Sequence, residues 1–79
     1  MANRGQVRAL LQEALSRIPV YEERWLHQDE SGLTLGDFQV LYALAEESES
    51  LGRIEIVETQ EETDTRKRLT VAVKIRRLK

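Results

Sequence analysis

Seven of the twelve basic residues in this 79-residue chain fall within its last fourteen positions: Arg66, Lys67, Arg68, Lys74, Arg76, Arg77 and Lys79. With no catalytic motif among them, cations at this density point to binding an anionic partner. They neutralise phosphates or carboxylates, with an affinity that falls as salt rises. These seven are therefore the candidate partner-binding residues.

Bond-making chemistry finds little support. His27 is the only histidine and cysteine is absent, so the usual zinc ligand sets cannot be assembled. Thiolate and disulfide chemistry are excluded with it. Ser16, Ser31, Ser48 and Ser50 supply hydroxyls, but none sits in a nucleophile elbow. The acid pairs Glu22-Glu23, Asp29-Glu30 and Glu46-Glu47 are adjacent in sequence, and neighbours on a helix do not converge on one point. The segment Asp29 to Thr34 lacks the alternating oxygen ligands of a calcium loop. The four glycines are scattered, without phosphate-cradling spacing. We expect no enzyme activity, no cofactor and no metal. Trp25 and Tyr21 have the character of a partner-binding hot spot, but with only four aromatic residues in the chain their simpler role is to fill a small core.

The elements that position the cations follow from periodicity. Leu69, Val71, Val73 and Ile75 alternate with Thr70, Ala72, Lys74 and Arg76, the pattern of a strand with one buried face. Arg53 to Glu58 reads as a second strand. An antiparallel pairing with Ile54 opposite Val73 and Ile56 opposite Val71 puts the aliphatic side chains on one face. The polar segment 59–65 then becomes an exposed tip. Upstream, Asn3 and Gln6 form a capping-box pair ahead of Val7, Leu10, Leu11, Ala14, Leu15 and Ile18 at helical spacing, which predicts a helix over 4–18 that Pro19 ends. Tyr21 and Trp25 at i,i+4 predict a short helix over 20–28, with a strand through Val20 and Tyr21 as the rival. Thr34 as N-cap, Asp37 in the first turn and the stripe Leu35, Phe38, Leu41, Tyr42, Leu44 and Ala45 predict a helix over 35–49. Gly52 stops it. Glu46, Glu47 and Glu49 oppose the dipole at its end, so that end must either fray or find cations.

The expected fold is one α+β domain over residues 1–79: three helices followed by a C-terminal two-stranded antiparallel β-hairpin. That order is winged-helix-like in topology. Net charge is −2, but residues 19–65 are strongly acidic and 66–79 strongly basic, an asymmetry that marks a surface for an oppositely charged partner unless the two halves neutralise each other. No apolar run reaches the length of a membrane span, and the first residues lack the apolar core of a secretory signal, so a cytoplasmic protein without membrane contact is expected. A small sheet must leave an edge strand open, which points to a homodimer or to another protein as cover. The functional expectation is a non-enzymatic protein-interaction or regulatory module. The alternative is a winged-helix-type nucleic-acid-binding transcriptional regulator. Against that alternative, the helix over 35–49 carries acids and no Lys or Arg, a poor match to a DNA groove.

Overall fold

The structure, a computed structural model, describes residues 3–64 and 66–79. Its first helix, α1 (Arg4–Ser16), opens on the capping box. The Asn3 side chain accepts from the Gln6 N–H at 2.8 Å, and the Gln6 side chain accepts from the Asn3 N–H at 2.9 Å. Two orphan donors of the first turn are thereby satisfied. The α-helical ladder gives way to tighter i→i−3 bonds, from Arg17 N–H to Ala14 and from Ile18 N–H to Leu15. Pro19 makes helical geometry at Ile18 unfavourable, so the chain leaves the helix slightly earlier than expected.

The largest correction concerns the helix expected over 20–28, which does not form: residues 20–27 are turn and strand, and only Gln28 is helical. Pro19 starts a reverse turn closed by Glu22 N–H on the Pro19 carbonyl at 3.0 Å, with Tyr21 held at φ 70°. The chain then enters strand β1 (Glu23–His27) and a single helical turn, α2 (Gln28–Ser31), ended by Gly32 at φ 77°. Tyr21 and Trp25 are consequently not neighbours on one helical face. A strand here hydrogen-bonds the edge of the basic strand, which a separate helix would leave open, and such long-range pairing overrides weak local preference.

Helix α3 (Leu35–Ser50) is capped as its sequence indicates, with Thr34 Oγ1 accepting from Asp37 N–H at 3.1 Å. Its acidic end does not fray. Glu47 lies 3.6 Å from Arg4 and 3.8 Å from Arg8 of α1. The Glu49 carboxylate accepts from the Ile56 N–H at 2.8 Å. Gly52 at φ 74° turns the chain into strand β2 (Ile54–Glu61), which is followed by β3 (Thr70–Arg77).

All three strands are antiparallel, in the order β1-β3-β2. The molecule is thus α+β, but with a three-stranded sheet where a two-stranded hairpin is expected, and with the basic strand at its centre. The register also differs. Ile54 lies opposite Arg77 and Ile56 opposite Ile75, four residues along from the expected pairing. The aliphatic face is unchanged, because a slip by an even number preserves side-chain parity. What the observed register adds is charge complementarity: Glu55 faces Arg76 and Glu58 faces Lys74, favourable cross-strand pairs. A bulge at Val57 shifts the pairing by one further residue, which is what sets Glu58 opposite Lys74, and β2 runs on to Glu61.

One core joins these elements: Val7 and Leu11 of α1, Phe38, Leu41, Leu44 and Ala45 of α3, Ile54 of β2, and Val73 and Ile75 of β3. Gln39 locks α3 to the sheet. Its amide donates to the Thr70 carbonyl at 2.7 Å and accepts from the Thr70 N–H at 3.0 Å. That pair satisfies the backbone of a buried residue that is 7% exposed.

Candidate functional site

The sheet turns one face to the helices and the other outward, and the outward side chains form rows. Glu23, Arg76 and Glu55 make the first row, Trp25, Lys74 and Glu58 the second, and His27, Ala72 and Gln60 the third. In the first row the Arg76 guanidinium bonds to Glu23 and, at 3.0 Å, to Glu55. Lys74 reaches back to Glu23 at 3.2 Å and stands 6.0 Å from the centre of the Trp25 ring. Trp25 in turn stacks on His27, with ring centres 5.8 Å apart. The Arg76 guanidinium, followed by the Lys74 ammonium, holds the Glu23 carboxyl below its ordinary value, and Glu23 raises Arg76 reciprocally. Opposite charge favours the ionised form of both partners.

The seven sequence-predicted cations therefore do not form one patch. Lys74 and Arg76 are neutralised by the protein's own glutamates. Arg77 lies on the inner face and donates to the Ile18 carbonyl at 2.9 Å and the Lys79 carbonyl at 2.7 Å, so it ties the end of β3 to the exit of α1. Arg66, Lys67 and Arg68 are exposed at the far end of the hairpin. There, Arg66 and Arg68 border a concavity of about 610 Å³ with Glu61, Glu62 and Thr63. Lys79 is exposed at the opposite end, where it meets Arg53 and Arg77 around a hollow of about 380 Å³ floored by Leu15 and Ile54.

A different feature stands out once β1 is in place. The two edges of the sheet are unlike. Along β2, the bulge at Val57 disrupts the ladder, Glu49 occupies the Ile56 N–H, and Glu55, Glu58 and Glu61 line the strand. Bulges and charges of this kind keep an edge from pairing with another chain. Strand β1 has no bulge and no proline. Arg77 N–H donates to the Glu22 carbonyl at 3.1 Å. By the two-residue alternation of an antiparallel ladder, the backbone of Arg24 and Leu26 then faces β3, and that of Glu23, Trp25 and His27 faces outward, with the Glu23 carbonyl accepting from the exposed Arg24 guanidinium at 2.8 Å.

Beside this open edge runs a groove of about 290 Å³ between β1 and α1. Leu10, Ala14, Leu26 and Leu41 supply apolar surface, and Glu13, Arg17 and Glu30 stand among its polar residues. Glu13 is already paired with Arg17 at 2.6 Å, whereas Glu30 forms no ion pair among the described residues. The sequence carried one signal for this edge: Glu23, Trp25 and His27 alternate with Arg24 and Leu26. Five residues are too few for that period to outweigh a helical reading.

Among the described residues, no three His, Cys, Asp or Glu side chains converge in a way that would hold a metal ion, and no helix is long and apolar enough to cross a membrane. Comparison of the chain with models of protein families, with curated proteins and with solved structures gives no match.

Proposed function

We propose that this chain is a non-enzymatic interaction module that binds a protein, or a second copy of itself, through the β1 edge and the groove beside it. The observation that carries the reading is the contrast between the two edges: β2 is blocked by a bulge and carboxylates, and β1 is open beside apolar surface. Strand addition at such an edge draws affinity from main-chain hydrogen bonds and selectivity from neighbouring pockets. Because Lys74 and Arg76 are held by Glu23 and Glu55, they help shape the sheet face rather than recruit the partner. A photoreactive residue at position 27, expressed in the native host, should give one discrete stoichiometric adduct. The same group at Ala43, on the exposed side of α3, should give none. Equal labelling at both positions, or none at either, removes the proposal.

A second reading, a winged-helix-type nucleic-acid-binding regulator, draws on the order helix, strand, helix, helix, strand, strand with β3 in the middle of the sheet. It also draws on the exposed Arg66, Lys67 and Arg68 at the hairpin's end. Helix α3 weakens it, because its exposed positions include Gly36, Ala43, Glu46 and Glu47 and it contains no base. Contact would instead come from the hairpin, giving a shallow salt dependence of about one unit of log–log slope per phosphate neutralised. Absence of binding to both a fluorescent duplex and a single strand at low ionic strength eliminates it.

A further inference from the structure

Resting on the interaction-module reading, we infer that the occupant of the β1 edge is β1 of a second copy, so that two sheets join into one continuous antiparallel sheet about a twofold axis at Trp25. A twofold dimer uses the same patch on both subunits, which must therefore be complementary to itself. The five residues of β1 meet this condition when the strand is paired with itself at full length. Trp25 then lies opposite Trp25, Glu23 opposite His27, and Arg24 opposite Leu26. This register matches the outward-facing backbone. Trp25 exchanges N–H and carbonyl with the partner's Trp25, and the His27 N–H donates to the partner's Glu23 carbonyl.

Both faces of the joined sheet are complementary in this register. On the outer face, the Glu23 carboxylate of each copy meets the imidazole of the partner's His27, and the two Trp25 rings meet at the axis, each backed by its own Lys74 at 6.0 Å. On the inner face, the Arg24 side chain of each copy runs along the partner's groove. There its stem covers Leu26 and its guanidinium approaches Glu30, which forms no ion pair among the described residues. Arg24 must first release two exposed contacts: a hydrogen bond to the Glu23 carbonyl at 2.8 Å, which the partner's His27 N–H replaces, and an ion pair with Glu22 at 3.0 Å between side chains more than half exposed, of a kind that contributes little. Sliding the pairing by two residues in either direction loses part of the ladder and the Glu23–His27 match. The β2 edge offers no comparable pairing because Glu55, Glu58 and Glu61 would meet their own kind.

The test uses the intact chain. Sedimentation equilibrium from low to high micromolar concentration should show the mass rising to twice that of the monomer. Over the same range, hydrogen exchange should slow at the Trp25 and His27 amides and stay unchanged at the Ile56 amide. Trp25→Lys and Trp25→Glu, confirmed folded by circular dichroism, should each be monomeric alone, and an equimolar mixture should recover the dimer. A monomer at every concentration overturns the inference, as does a dimer unaffected by either substitution. If the purified chain stays monomeric while a probe at position 27 captures a different polypeptide in the native host, the second-copy assignment fails and the interaction-module reading stands. If neither dimer nor adduct forms, both fail.

Discussion

Glu23 of β1 lies directly opposite Arg76 of β3 and takes its guanidinium, although the two are 53 residues apart in sequence. The same carboxylate also receives Lys74, so one acid from the acidic half of the chain quenches the centre of the basic strand. Glu55 completes the arrangement from the other side.

Replacing Glu23 by glutamine should lower the melting temperature at neutral pH. The Glu23 pKa is depressed in the folded state, so its contribution is present above the unfolded value and disappears as pH falls through the folded one. Thermal melts of the two proteins should therefore differ near neutrality and converge in acid. A constant difference across the whole range would mean that the lost ionisation is not the cause. Arg76→Glu, which places an anion between Glu23 and Glu55, should be more damaging than Glu23→Gln at neutral pH.

Gln39→Ala should cost about 1–3 kcal/mol, because the buried Thr70 N–H and carbonyl lose their partner together. Gln39→Glu should not rescue the loss, since a carboxylate can accept from the N–H but only repels the carbonyl. Urea denaturation of the three proteins measures this directly, with an unchanged slope marking a pure stability effect.

Phe38→Ala removes the largest side chain of the core, which is fully buried. Its cost of about 3–5 kcal/mol is comparable to the whole stability expected at about 0.05–0.15 kcal/mol per residue. The variant should be largely unfolded by circular dichroism at room temperature.

Tyr21 occupies a left-handed conformation, yet its side chain is 73% exposed, so little packing is lost when it is removed. Tyr21→Gly should be neutral or stabilising, because glycine relieves strain of about 1–2 kcal/mol while adding about 0.5–1 kcal/mol of chain entropy. Tyr21→Val, β-branched at positive φ, should destabilise. Equal stability of the two variants would show that the turn is not strained.

Much of this architecture is written locally. Asn3 with Gln6, Thr34 with Asp37, and Gly52 mark where α1 and α3 begin or end, because caps and stops depend on residues a few positions apart. The alternation from Leu69 to Arg76 likewise assigned β3 and its aliphatic face. Tertiary structure decided three further matters. It made Glu23–His27 a strand, since five residues hold too little periodicity until β3 offers a pairing edge. It set the β2–β3 register, because a four-residue slip leaves Ile54 and Ile56 facing inward while setting Glu55 against Arg76, and it placed the bulge at Val57 that turns Glu58 outward against Lys74. It also divided the cations into neutralised and exposed, a property of distances between residues far apart in sequence, which net charge and spacing along the chain do not contain.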